Sequence, residues 1–166
     1  MEKIIDELVR IMTEEIKAFN KLLATLKAKQ KAIVEGEIEK LKVQVKNEEK
    51  IIKETASLEK IRQEQTQILA EQLMMKTGNP KLSEIIEKVE EKYAQRLTEQ
   101  RDLLKTLLEK IQHLNASNQF LINYSLKFIE DNLRLLSNAQ NQTTFYAKNG
   151  ERQNAFNKQI ILDKEI

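Results

Sequence analysis

The sequence predicts an all-α protein: an antiparallel long-helix coiled-coil bundle of three to four helices, followed by a weakly structured C-terminal tail. Three observations predict it. Apolar residues recur at helical spacing along most of the chain. One Pro and three Gly in 166 residues leave too few turn residues for a many-stranded fold. Lys and Glu fill the positions between the apolar ones, as on the outer face of bundle helices.

The first helix is predicted over 2–34. Ile5, Met12, Phe19, Leu26 and Ile33 recur every seven residues, with Leu8 and Leu22 at intervening seam positions and Ile16 and Leu23 widening the stripe. Two seam positions, Glu15 and Lys29, are charged, and Asp6 and Arg10 stand four apart on the outer face. Gly36 can take the left-handed conformation that ends a helix, so a tight reversal is expected there.

A second helix is expected over 38–76, with a seam of Ile38, Leu41, Val45, Ile51, Leu58, Ile61, Ile68 and Met75 and a phase slip near Glu48. Gln65 and Gln72 lie on that seam and weaken it locally. Its end is marked by Lys76-Thr77-Gly78-Asn79-Pro80: Gly78 as C-terminal cap, Asn79 as the next N-cap, and Pro80 where a missing N–H costs nothing.

A third helix is expected over 81–139, carried by Leu82, Ile86, Val89, Tyr93, Leu97, Leu104, Leu107, Ile111 and Leu114. Polar Asn115-Ala116-Ser117-Asn118-Gln119 marks a candidate break, after which the stripe resumes with Leu121, Ile122, Leu126, Ile129, Leu133 and Leu136. Asn118, Ser125 and Asn132 form a polar line at seven-residue spacing. A straight helix over 81–139 is about 88 Å long and one over 2–34 about 50 Å, so its last third outruns its neighbours. A bend near Asn115 would instead fold 118–139 back as a fourth helix. The helical signal fades after Ala139, and the apolar side chains of 145–166 cannot offset the cost of ordering them alone. The expected organisation is a bundle over 1–139 and a flexible binding tail over 140–166.

Composition restricts the chemistry. No Cys and a single His exclude disulfide frameworks, thiolate metal sites and paired-His di-iron sites, so no cofactor or metal is expected. His113 lies four residues after Glu109, a spacing that shares a helix face, but it has no further ligand and reads as a solvated side chain. Glu48-Glu49 and Glu90-Glu91 are neighbours about 100° apart on a helix and read as solvated faces rather than acid/base pairs. Lys40, Lys42 and Lys46 are interleaved with Glu37 and Glu39, and the net charge is +2, so no nucleic-acid partner is expected. No Gly-rich phosphate loop and no nucleophile elbow occur, and an enzyme is not expected. The acidic start, without signal-peptide character, and the lack of a long apolar run predict a cytoplasmic protein without membrane insertion. What remains is surface recognition by an apolar helical stripe.

Four stretches resemble the FlgN family of flagellar type III export chaperones. Leu22, Leu23 and Leu26 precede Lys31-Ala32-Ile33-Val34-Glu35-Gly36-Glu37-Ile38-Glu39-Lys40-Leu41, which is similar to the family's small and aliphatic pair, Gly, acid and Leu. Glu48-Glu49-Lys50-Ile51-Ile52 is similar to its charged and aliphatic continuation. Asn115-Ala116-Ser117-Asn118-Gln119-Phe120-Leu121-Ile122-Asn123-Tyr124-Ser125-Leu126 resembles its Asn-x-x-Asn, aliphatic pair and Ser-Leu run. Tyr146-Ala147-Lys148-Asn149-Gly150 is similar to its Tyr-Gly-x-x-Gly segment, with Ala147 in place of the first Gly.

The resemblance covers nearly the whole chain. It implies an ATP-independent chaperone that binds the C-terminal amphipathic helical region of hook-associated junction proteins, prevents early assembly and delivers them to a membrane protein of the export gate. It further implies client binding at Leu121, Ile122, Leu126, Phe128, Ile129, Leu133 and Leu136, with Phe156 and Ile160 of the tail, and export-gate docking at Tyr146. The competing expectation is a structural or adaptor coiled coil that self-associates through the same stripe.

Overall fold

The computed structural model describes residues 1–75, 78 and 80–140, with side chains to 137. They form four helices and no strand: α1 (Glu2–Glu35), α2 (Ile38–Gln72), α3 (Leu82–Ile86) and α4 (Glu91–Gln140). The all-α class and the long-helix bundle are those expected from the sequence.

α1 and α2 form an antiparallel hairpin. Gly36 adopts φ 69° and closes α1 with two hydrogen bonds, its own N–H to the Ile33 carbonyl and that of Glu37 to the Ala32 carbonyl. Cross-helix pairs then run in opposite senses: Lys29 with Glu48 at 2.7 Å, Lys21 with Glu54 at 4.0 Å, Glu15 with Arg62 at 3.0 Å. Both charged seam positions of α1 therefore form hydrogen bonds across to α2. Glu48 is half-buried in its pair with Lys29 rather than solvated, because the phase slip in α2 turns it inward. Asp6 bonds to Arg96 of α4 at 2.9 Å instead of to Arg10, which takes Glu7.

α4 lies along α1 in the parallel sense: Asp6 meets Arg96, Thr13 meets Gln100, and Leu26 meets Asn118. One core cluster joins Ile5, Leu8 and Met12 of α1, Leu69 and Ala70 of α2, Ile85 of α3, and Tyr93, Leu97 and Leu104 of α4. A second joins Leu22, Leu26 and Ile51, with Ile111 and Leu114 packed on it.

Three boundaries differ from expectation. α2 ends at Gln72, and Met74 takes the left-handed role at φ 55°. The N–H of Met75 bonds to the Ala70 carbonyl and that of Met74 to Glu71, the same pair of bonds that closes α1. The expected cap at Gly78 therefore lies beyond the helix end, and Asn79 lies outside the described residues. The third helix breaks at Glu87–Glu90 rather than near Asn115. The short α3 packs Leu82, Ile85 and Ile86 onto the core, the break adds Val89, and α4 restarts where the N–H groups of Tyr93 and Ala94 bond to the Glu90 carbonyl. α4 then runs through 115–118 without interruption, because Ser117 and Asn118 face α1 and find partners there.

The predicted seam of α2 matches its buried face only in part, at Ile51 and, past the helix end, at Met75. Ile51, Thr66, Leu69 and Ala70 are its buried residues, while Ile38, Val45, Ile61 and Ile68 are exposed. Thr66 escapes apolar pattern reading because its hydroxyl donates to the Arg62 carbonyl at 2.7 Å, which satisfies it inside.

By its internal contacts the chain divides into two compact units, Met1–Ile122 and Asn123–Ile166. The first contains both core clusters. Of the second, the helical stretch to Gln140 is described.

Candidate protein-binding surface

In the second unit, residues 123–137 form helix with a high apolar content and no buried side chain. Leu126, Ile129, Leu133 and Leu136 follow one another at steps of three and four, which places them in one row along the helix. Their exposures are 60%, 55%, 61% and 66%. Tyr124, Phe128 and Leu135 are equally exposed and form a second row, about 140° around the helix from the first. Between the rows stand Ser125 and Asn132. The amide of Asn132 donates to the Phe128 carbonyl at 2.7 Å. The charged side chains Lys127, Glu130, Asp131 and Arg134 occupy the remaining side, with Arg134 and Glu130 paired at 3.4 Å.

A single exposed Leu on a protein surface needs no explanation, but a continuous row does. Phe128 completes the exposed members of the expected set. Leu121 and Ile122 belong to the first unit and are half-buried, so they contribute less free surface. Phe156, Ile160 and Tyr146 lie outside the described residues.

The first unit has a groove of about 320 Å³ between its helices, walled by Phe19, Leu82, Leu104 and Leu108 and edged by Glu15, Glu59, Arg62, Arg101 and Lys105. Glu15 is 2% exposed. The Arg62 Nε donates to its Oε1 at 3.1 Å and lies 3.0 Å from Oε2 outside hydrogen-bonding angle. Burial raises the Glu15 carboxyl above its ordinary pKa, and the Arg62 charge opposes that shift without cancelling it. Sequence reading marked Glu15 only as a charged seam position, and that mismatch with the stripe was the available signal. The pair neutralises itself, so it offers a ligand little net field.

His113 and Glu109 are both exposed, and Lys40 and Lys42 pair with Glu37 and Glu39 on the surface. Among the described residues no group of three or more His, Cys, Asp and Glu is placed to hold a metal, and no helix is long and apolar enough to cross a membrane.

Helices that pack one another through two cores and carry, among the described residues, an exposed aliphatic row define an all-α helical-bundle protein. The model of the FlgN protein family matches residues 1–160, and the chain belongs to that family, a family of flagellar export chaperones. Searches of characterised proteins and of solved structures find no significant match.

Proposed function

We propose that this chain is a cytoplasmic chaperone whose clients are hook-associated junction proteins, held by their C-terminal amphipathic helical region. The observation that carries this reading is the exposed row of Leu126, Ile129, Leu133 and Leu136, flanked by Phe128. An amphipathic client helix laid on that row buries apolar surface on both partners, and the occupied client helix is then withheld from assembly. Leu121 and Ile122 line the start of the site. Phe156 and Ile160 add apolar surface from the tail, and Tyr146 docks the loaded complex to a membrane protein of the export gate. No cofactor or nucleotide takes part.

The test is calorimetric titration of the full chain with a synthetic peptide spanning the C-terminal helical region of a hook-associated junction protein. A one-to-one complex is expected, and Leu126→Asp together with Leu133→Asp is expected to weaken it at least about a hundredfold, since two desolvated leucines are replaced by charges. Unchanged affinity in that variant refutes the site. Sedimentation equilibrium of the chain alone addresses self-association: a stable homodimer abolished by the same two substitutions would instead establish the adaptor coiled coil.

A further inference from the structure

Within the first unit, the α1–α4 seam carries one fully buried polar residue amid Leu and Ile. Asn118 is 0% exposed, its amide donates to the Leu26 carbonyl at 2.9 Å, and its Oδ1 has no partner. Beside it, the Gln30 amide donates to the Ser117 hydroxyl at 3.0 Å. An apolar seam with a seven-residue repeat can slide by one repeat at little cost, and a buried amide that bonds in one position forbids the slip. Asn118 thus fixes how α1 lies on α4.

The same line continues along α4. Ser125 and Asn132 follow Asn118 at one and two heptads, and they border the row of Leu126, Ile129, Leu133 and Leu136. The line itself continues the seven-residue steps of Leu97, Leu104 and Ile111, which are buried or half-buried in the bundle. The drift of about 20° per heptad along the line is the drift that a left-handed supercoil takes up. Ser125 and Asn132 therefore stand, in the second unit, on the heptad line whose members Leu97, Leu104, Ile111 and Asn118 are covered in the first.

We propose that Ser125 and Asn132 are specificity-determining residues that set the register of the client helix on this face, a role that rests on the client-binding reading above. The occupant is an amphipathic helix of the client with apolar residues at three- and four-residue steps, as in α1, and with an accessible backbone carbonyl opposite Asn132. In the free chain the Asn132 amide is satisfied by the Phe128 carbonyl of its own helix. Turning it to a client carbonyl exchanges one hydrogen bond for another, while the Phe128 carbonyl keeps its backbone partner. A client helix shifted by one seven-residue repeat carries that accessible carbonyl away from Asn132 and places another residue's side chain against the amide. The charged residues Lys127, Glu130, Asp131 and Arg134 do not border this polar line, so they leave register to the two polar residues.

The chain has no Cys, so one introduced thiol is a unique handle. The full chain carrying Glu130→Cys, labelled with a thiol-reactive photo-crosslinker, is mixed with the client peptide named above, and the cross-linked peptide position is read by mass spectrometry. Circular dichroism checks that each variant keeps its helix content. Cross-links confined to one peptide position are expected. Asn132→Leu is expected to change affinity by less than about threefold but to spread cross-links over positions seven residues apart. Ser125→Ala with Asn132→Ala is expected to give the same spread and a loss of about fivefold. A single unchanged position in Asn132→Leu overturns the register role while leaving client binding intact, as does a spread already present without substitution. Full affinity in the Leu126→Asp, Leu133→Asp chain overturns the underlying reading. Cross-links between two copies of the chain in place of the peptide make a second copy the occupant and overturn the proposal.

Discussion

Gly36 and Met74 perform the same closing turn, one without strain and the other with it. A non-glycine residue in the left-handed region costs about 1 kcal/mol, and Met74 is 89% exposed, so its side chain returns nothing by packing. Met74→Gly should therefore stabilise the fold by about 0.5–1 kcal/mol, read from the midpoint of urea unfolding at constant slope. Gly36→Ala should destabilise by about 1 kcal/mol, from backbone strain alone, since a Cβ there meets nothing within 4 Å. A second residue-level prediction concerns Glu15. Its carboxyl binds a proton more readily in the folded than in the unfolded chain, because burial raises it. Its contribution to stability is thus most favourable at low pH and declines as pH rises above 4.5, the ordinary carboxyl value, toward the raised folded-state value. Glu15→Gln should flatten that part of the pH–stability curve and cost little at pH 7. Arg62→Met leaves the carboxylate buried without its cation and should cost about 3 kcal/mol at pH 7, with most of the loss recovered near pH 4. Equal losses for the two variants at pH 7 would refute this account of the pair.

At the scale of elements, legibility follows how strongly a helix is divided between core and solvent. α1 buries Ile5, Leu8, Met12, Leu22 and Leu26 on the stripe read from sequence, and α4 follows with Tyr93, Leu97, Leu104 and Leu107. α2 does so only at Ile51, because its core face adds Leu69, Thr66 and Ala70 while Ile38, Ile61 and Ile68 face outward. Apolar identity is then a poor guide to which side is covered. The break at Glu87–Glu90 contains no Gly or Pro, so tertiary packing of Ile85 and Val89 overrode local helix propensity. Conversely, the polar run at Asn115–Gln119 resembled a break and is not one, since its two inward residues bond to α1. Asn118 is the element-scale test. The Leu26 carbonyl keeps its own helical partner, so replacing the amide leaves no acceptor stranded and removes the unpartnered Oδ1. Asn118→Leu should raise stability by about 1 kcal/mol while relaxing the seam, seen as doubled side-chain methyl resonances of Leu22 and Leu26. A loss of stability would mean that the amide contributes more than it costs.

For the molecule as a whole, the two units are held by different physics. Met1–Ile122 encloses both core clusters, and Ile5, Leu8, Met12, Leu69, Ile85 and Leu97 are 0% exposed. Residues 126–137 have no buried side chain, so their helix rests on backbone hydrogen bonds and on continuation from the preceding turns. A stretch of this length in water is marginal by itself. That contrast was legible in the sequence as an apolar stripe too long for its neighbours, although which of its residues stay uncovered required the exposures. Local opening should therefore be cheap in 126–137 and as costly as global unfolding around Leu97–Leu107. Hydrogen-exchange mass spectrometry of the free chain should find the amides of 126–137 at least about a hundredfold less protected than those of 97–107. Saturation with the client peptide should raise protection in 126–137 and leave 97–107 unchanged, because binding supplies an apolar partner that no described residue gives the row. Equal protection of the two stretches in the free chain would show that the row is already covered, and a client could then reach it only by displacing what covers it.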